Sequence, residues 1–363
     1  MAQKSVRLLI PKISIVTIIL TSSLSCNKSN PANAGADEQG KLVFVMNDST
    51  IGPWGVYTMN LDGSKLRPVA VSGDSVFFPG PWGNYYILDN YYPLSSPRWN
   101  RDGTRIVCQL MWAFEGYVIM VMNSDGSNKH VLWKVRAAAL KPQWSPEGDK
   151  ILFMRSGYLG VVYALGVVDS SGENDRDIPD IAYAWGSTQT FEVDTIWTYG
   201  PVGDYQWEQS GNLIYARTSV NVKPDLSYTM GLNSAVEIFS FDVQTGLIKD
   251  RLTRNTLDES GFLFSQQAQK VAFLRGTYGG TDNVIHLLSM VDGNRAVIEF
   301  GGTIASWSWA NDGKKIVYSK DEDPNLYRNT DFHLYVVDVT KPTIQKRLTT
   351  FKAVEPDLFI ATE

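Results

Sequence analysis

The chain has 363 residues, 44% of them hydrophobic and 20% charged, with 33 Lys and Arg against 38 Asp and Glu and a net charge of −5. This is the balance of a globular protein, and its acidic sign disfavours nucleic acid as a partner, because phosphate backbones are bound by basic patches that displace counterions. The aromatic share of 12%, with 11 Trp and 17 Tyr, is high for such a chain and needs a structural reason.

Residues 1–25 place Lys4, Arg7 and Lys12 before the apolar stretch "ISIVTIILTSSL", the shape of a secretory signal. The apolar core falls short of the roughly 20 residues that span a bilayer as a helix, so export with cleavage is expected. The signal runs into Ser25 and Cys26, which resembles the lipobox of bacterial lipoproteins, although the aliphatic position is displaced, with Ser23 three residues before the cysteine and Leu24 one later. The resemblance implies lipidation at Cys26 and an anchor in the bacterial envelope, at the outer membrane on its periplasmic side or at the cell surface. Simple cleavage and retention as an uncleaved anchor are the alternatives. Residues 26–40 are small and polar, a flexible tether. Without residues 1–25 the net charge becomes −8. Cys108, in "RIVCQLMW", reads as a buried strand thiol with no cationic neighbour to activate it.

From residue 41 onward the chain repeats. "WNRDG" at Trp99 returns as "WSPEG" at Trp144, "WEQSG" at Trp207 and "WANDG" at Trp309, with degenerate copies in "FSQQAQKVAF" at Phe264 and "PDLF" around Leu358. The anchors are spaced by 45, 63, 57, 45 and 49 residues, a period that belongs to propellers or solenoids. Each copy has one grammar: an anchor strand, a Gly turn, an apolar run, a variable loop, a second apolar run, another Gly turn and a last strand. Runs such as "YVIMVM", punctuated by Asp-Gly, are strand and hairpin signals, and their apolarity on both faces predicts a sheet covered on both sides. Six anchors meet six three-strand remainders, which start near Lys41, Arg105, Lys150, Asn212, Lys270 and Lys314. The first remainder has no anchor before it, and the last anchor, "AVEPDLFIA", has no remainder after it. The C-terminal strand therefore completes the N-terminal sheet. The expectation over 41–363 is an all-β, six-bladed propeller of four-stranded antiparallel blades, closed by that strand and monomeric.

Two of these patterns, "KPQWSPEGDKILF" and "IMVMNSDGSNKHVL", resemble the repeats of TolB-like propellers, and the resemblance covers residues 41–360. It implies the fold and a cell-envelope binding role, not an activity. TolB itself has an additional α/β domain before its propeller where this sequence shows a short tether, so its particular partners are not carried over.

An antiparallel meander sends the Gly turns of every blade to one end and the variable loops and inter-blade connections to the other. The first end reads as hairpin chemistry, with single acids that suit a turn better than a Ca²⁺ cage. The second end receives the long insertions and much of the aromatic content, and long loops on a rigid scaffold are where function sits. The candidate partner-binding residues are Trp54, Trp82, Tyr85, Tyr86, Tyr91, Tyr92, Trp112, Trp185, Trp197 and Tyr199. Taken singly, each ring serves to pack an insertion onto the blades; as a set they exceed that need, and exposed Tyr and Trp suit partner anchors or sugar platforms.

No nucleophile elbow is present, and His130, His286 and His333 lie far apart on predicted outer strands, which argues against a histidine triad or metal site. The run Asp321, Glu322 and Asp323 reads as a solvated loop. No catalytic residue, cofactor or metal is assigned. The sequence is read as a non-catalytic binding or scaffolding propeller that takes an envelope protein or a glycan. The alternative is a carbohydrate-binding or carbohydrate-cleaving lyase or hydrolase-type propeller, which convergent acids beside Trp82 and Trp185 or a bound divalent metal would favour.

Overall fold

The computed structural model describes residues 40–361 except 80–83, 89–92, 113–115, 133–134, 136–137, 157–161, 180–186, 192–193, 199–203, 222–233, 254–257, 266, 278–279, 301–302 and 322–330. Every regular element among these residues is a strand, and six sheets, antiparallel except for one parallel bridge in blade two, follow one another along the chain. Blade one joins Ala353–Ile360 to Gly40–Met46, Gly55–Asn60 and Arg67–Val71, with Leu42 opposite Leu358 and Val43 opposite Asp357. The closure expected from the unmatched first and last copies is thus present. The remaining three-strand units begin at Arg105, Lys150, Leu213, Lys270 and Lys315, each within one residue of the position read from the repeat.

Blade interfaces explain why the runs are apolar on both faces. Along Lys150–Ser156, Ile151 and Phe153 pack with Val107, Ile119 and Trp144 between blades two and three, while Leu152 and Met154 pack with Tyr205, Trp207 and Phe239 between blades three and four. Alternate side chains of one strand serve alternate interfaces, the period-2 consequence of the pleat. Six apolar clusters of this kind occur among the described residues, one at each blade junction. The anchors are their common element: Trp99, Trp144, Trp207, Phe264, Trp309 and Leu358 each pack on the preceding blade, and all are 8% exposed or less. The repeat is therefore visible in sequence because every junction needs the same filler.

The Gly turns are equally local. Asp102, Asp125 and Asp62 each accept the backbone N–H two residues on, from Thr104, Ser127 and Ser64, and these turns hold the Asp62 and Asp125 carboxyls below the usual range, first through the side-chain hydroxyls of Ser64 and Ser127 and then through these N–H groups. Gly103, at φ +67°, also stands where a Cβ would lie 2.6 Å from the Phe359 ring, so any side chain there would strain the backbone and displace the ring.

Two blades exceed the expected four strands. In blade two, the hairpin Ser75–Phe78 and Asn84–Ile87 adds beyond the outer strand His130–Val131, with Phe77 parallel to His130. In blade four, the inner strand Tyr205–Trp207 covers only part of its neighbour Leu213–Asn221. The hairpin Ser187–Phe191 and Asp194–Thr198 takes the uncovered end, placing Ile196 opposite Val220 and Trp197 opposite Ser219. The sequence leads to loops at both insertions. They form strands instead because each meets a strand whose hydrogen-bonding groups would otherwise have no partner.

Candidate functional site

Of the aromatic residues singled out in the sequence, Trp54 is 43% exposed and ends the loop between the strands Gly40–Met46 and Gly55–Asn60. That loop is fixed: Asp48 caps Thr50 at 3.0 Å, Ile51 N–H donates to Asp48 O, and the Tyr57 hydroxyl donates to Pro53 O at 2.8 Å. Ile51, 51% exposed, shares the loop with Trp54. Tyr85 and Tyr86 lie elsewhere, on the outermost strand of blade two, at the circumference of the ring rather than around its mouth. Tyr85 is 71% exposed with its ring 5.1 Å from Phe77, and Tyr86 sits edge-on to Phe78 at 4.7 Å. Trp112 ends the strand Arg105–Trp112 opposite Gly116, and Trp197 lies in Asp194–Thr198. Trp82, Tyr91, Tyr92, Trp185 and Tyr199, and with them Cys26, lie outside the described residues. Cys108 is a buried free thiol, and burial raises its pKa further from reactivity.

The inner strands supply a second site, away from the aromatic insertions. Each inner strand neighbours the next around the ring, from Ala353–Ile360 to Leu94–Trp99, Ala138–Trp144, Tyr205–Trp207, Asp258–Ser265, Thr303–Trp309 and back. Three residues before each anchor stand Ser96, Lys141, Asp204, Gly261, Ser306 and Glu355; one residue before it stand Arg98, Gln143, Gln206, Leu263, Ser308 and Asp357. The ladder is bulged at this place, with register shifts after Ser95, Leu140, Ser260 and Ile304 and beside Asp357. Ser96, Lys141, Gly261 and Glu355 adopt φ between 50° and 60° there. Bulges of this kind re-aim side chains and free backbone N–H groups.

Those groups are taken by the adjacent blade. Glu355 accepts Ser96 N–H at 2.6 Å and Asp357 accepts Trp99 N–H at 2.8 Å. Asp204 accepts Gly261 N–H at 2.8 Å, and Gln206 both accepts from Phe264 N–H and donates to Phe264 O, at 2.7 Å each. The Ser306 hydroxyl accepts Glu355 N–H at 2.8 Å. A polar belt thus lines the channel where the apolar anchors end. The signal that points to it is present in sequence: polar residues at two fixed offsets before a buried anchor in five of the six blades.

Two cavities open along this belt. The one toward the long loops, about 270 Å³, carries Lys141, Asp204 and Glu355. The one toward the Gly turns, about 260 Å³, carries Arg101, Asp357 and the rings of Trp99, Trp144, Trp207 and Trp309. Arg98 borders both. Loss of solvation raises the Asp357 pKa, opposed by the charge of Arg98. Burial likewise raises that of Tyr205, whose hydroxyl donates to the bulge carbonyl of Leu140 at 3.1 Å and also to that of Lys141. No group of three or more His, Cys, Asp or Glu among the described residues is arranged to hold a metal ion.

Comparison with known proteins returns fold likeness. No family model and no curated protein sequence matches the chain. Among solved structures, TolB from Acinetobacter baumannii superposes with a TM-score of 0.59 at 16% identity, over 88% of this chain and 66% of that one, so this chain spans just under two thirds of its length. A putative TolB from Agrobacterium tumefaciens gives 0.51 at 12% identity, over 88% of this chain and 91% of that one. The TolB-like six-bladed propeller is therefore the fold of this chain.

Proposed function

We propose that the chain is an exported, lipid-anchored binding and scaffolding propeller of the bacterial cell envelope, non-catalytic, with its protein partner held on the long-loop face. The observation that carries the reading is the pair Ile51 and Trp54, large apolar side chains about half exposed on a loop whose backbone is fixed by Asp48 and Pro53. An exposed tryptophan on a rigid loop loses little entropy on docking and suits an interface anchor. The export signal and Cys26 supply the compartment and the anchor, and the TolB-like repeats imply the same role. Carbohydrate recognition or cleavage stands second. It is motivated by Asp204 and Glu355, which converge on one cavity of the channel, but both carboxylates are engaged in holding neighbouring blades together.

The test is affinity capture from envelope extract with the full chain in detergent, beside Trp54→Ala and Trp82→Ala/Trp185→Ala versions. A partner recovered by the parent and lost by at least tenfold with Trp54→Ala supports the scaffold. Equal recovery by all three removes the long-loop face from the proposal, and saturable binding of envelope glycans in its place turns it to the second reading. Cys26→Ser is expected to move the chain from the detergent phase to the aqueous phase; partitioning unchanged by that substitution would rule out the lipid.

A further inference from the structure

The Gly-turn end of the ring is not uniform. In every blade the last of its Gly-side turns joins the third strand to the fourth, so these turns stand toward the outer margin of that end. In blades one to three they present exposed polar side chains, Asp62 and Lys65, Asp125 and Asn128, and Ser171 and Glu173. In blades four to six the same turns present Leu247, Val291 and Ile344, which are 51%, 77% and 66% exposed, and Val297, 46% exposed, lies in the fourth strand of blade five. A single exposed aliphatic residue is ordinary; one at the same place in three consecutive blades forms an arc. The turns are closed on themselves. Gly246 N–H donates to Asp242 O at 2.8 Å, Gly293 N–H to Ser289 O at 3.1 Å and Ile344 N–H to Lys341 O at 3.0 Å. Asp242, Asp292 and Asp338 accept the N–H groups of Thr245, Asn294 and Thr340. The acids are thus engaged as caps, and the tips carry an aliphatic side chain among the exposed bases Lys249, Arg295, Lys314, Lys341 and Lys346. Across the ring, blade three presents the exposed acids Glu147, Asp149 and Glu173 at the same end.

The chain also enters the propeller at this end. Gly40 opens the strand Gly40–Met46, and its carbonyl accepts Leu61 N–H at 2.8 Å, where the last Gly turn of blade one begins. Blade one adjoins blade six, with Leu42 and Leu358 packed in one cluster with Val317 and Leu334. Fourteen residues separate Gly40 from Cys26, at most about 50 Å of extended chain.

We propose that the arc of Leu247, Val291 and Ile344 is a bilayer-contact surface, on which blades four to six rest against the anionic face of the membrane that holds the lipid of Cys26. The inference rests on the lipid-anchor reading for its compartment and tether, and adds to it an orientation. Charge complementarity selects the occupant: aliphatic tips enter the boundary between headgroups and acyl chains while the flanking lysines and arginine meet lipid phosphates, and contributions of this kind are small singly and add together. Turns whose N–H groups are already bonded enter a water-poor layer without leaving those donors unpaired. The tether holds the Gly-turn end near the bilayer, and the acids of blade three, repelled by an anionic surface, tip the ring onto blades four to six. Ile51 and Trp54 then stand about 25 Å further out, a strand length away, on the end left open to a protein partner.

The experiment uses the full chain reconstituted in vesicles of phosphatidylcholine with phosphatidylglycerol, and of phosphatidylcholine alone. A fluorophore is attached singly at Val291→Cys, Ile344→Cys, Glu173→Cys or Ile51→Cys, all exposed positions, while Cys108 is buried. With a nitroxide-labelled lipid in the anionic vesicles, the labels at 291 and 344 should lose about half their fluorescence or more, as groups seated at the headgroup boundary do; those at 173 and 51 should keep theirs. Lys341→Glu/Lys346→Glu should lower the quenching at 344 by about twofold or more in anionic vesicles, to the level seen in phosphatidylcholine alone. Each label is placed in the parent and in Cys26→Ser. Fluorophore found on Cys26 of the parent marks failure of the lipidation reading alone, and the Cys26→Ser chain then carries the quenching test by itself. The bilayer surface is overturned if no label is quenched, if 51 or 173 is quenched as strongly as 344, if charge reversal changes nothing, or if the labels at 291 and 344 respond to added envelope protein and not to lipid.

Discussion

The inner ring and the outer rim of this propeller are built on different terms. At the inner ring each strand is specified twice, by an anchor packed on the preceding blade and, at most junctions, by hydrogen bonds across the blades, such as Asp357 with Trp99 N–H and Gln206 with Phe264. At the rim of blade two, the hairpin Ser75–Phe78 and Asn84–Ile87 hangs on a parallel bridge at Phe77, the Phe77 N–H bond to Lys129 O and the burial of Val76 and Phe78, while Tyr85 and Ile87 face solvent. The contrast separates what the ring requires from what has been added to it. Every junction must be filled, so the filler repeats; a rim hairpin is needed once and so has no repeat.

The sharpest way to break the contrast is at an anchor. Trp144→Ala removes a ring that packs on Val107, Ile119 and Val121 and that stacks beneath Arg105, whose guanidinium carbon lies 4.4 Å from the ring centroid. A loss of about 3–5 kcal/mol is expected from the lost burial and the residual cavity, read from urea denaturation. A loss below about 1 kcal/mol would mean that the junction is not keyed by its anchor. Next comes Gly103→Ala, also at the inner ring. The left-handed backbone costs an L residue about 1–2 kcal/mol and the Phe359 ring must shift to admit a methyl, for a loss of about 2–3 kcal/mol; wild-type stability in that variant would show that the blade one contact is slack.

How far the sequence discloses the molecule follows the same division. The anchors, the Asp-Gly turns and the unmatched first and last copies are repeated or complementary signals, so the six blades, their order and the closing strand are legible. The polar belt is legible in principle, since Ser96, Lys141, Asp204 and Glu355 share one offset and Arg98, Gln143, Gln206 and Asp357 another. Polar residues at those offsets are also what a strand with a solvated face would show, so the pattern alone does not single out a channel lining. What periodicity does not convey is the destination of the insertions. Nothing in "SVFFPGPWGNYYI" says that its hairpin will run beside His130 at the circumference. That placement depends on pairing at the open edge of the outer strand His130–Val131. Likewise, the hairpin before blade four is set by the shortness of Tyr205–Trp207 against its nine-residue neighbour.

The inner ring also makes a pH prediction of unusual sign. An acid whose folded-state pKa stands above its unfolded value binds protons more tightly when folded, so the stability it confers is full below the unfolded value near 3.8 and is lost as pH rises through the folded one. Asp357 is such a group. Asp62 and Asp125, held low by their turns, act in the opposite sense and lose stability as pH falls. Comparing the parent with Asp357→Asn isolates the first contribution: the difference in stability should move in favour of the variant as pH rises above the unfolded value near 3.8. A difference that is flat with pH would mean that Arg98 and the Trp99 N–H fully compensate the carboxylate.

The smallest effect belongs to the rim. Tyr85 is 71% exposed and touches its own hairpin through Phe77. Tyr85→Ala should therefore alter stability by no more than about 0.5 kcal/mol, as exposed sites without caps or buried partners do. The measurement is the same urea curve used for Trp144→Ala, so the two regions are compared on one scale. A Tyr85 loss above about 1 kcal/mol would show the hairpin to be a cooperative part of blade two, because an exposed ring can stabilise the fold to that extent only by holding the strand it sits on. With the expected small loss, any change in partner capture by Tyr85→Ala is an effect at the surface itself, and whether the circumference joins Trp54 in one binding surface is then read directly from the retained fold.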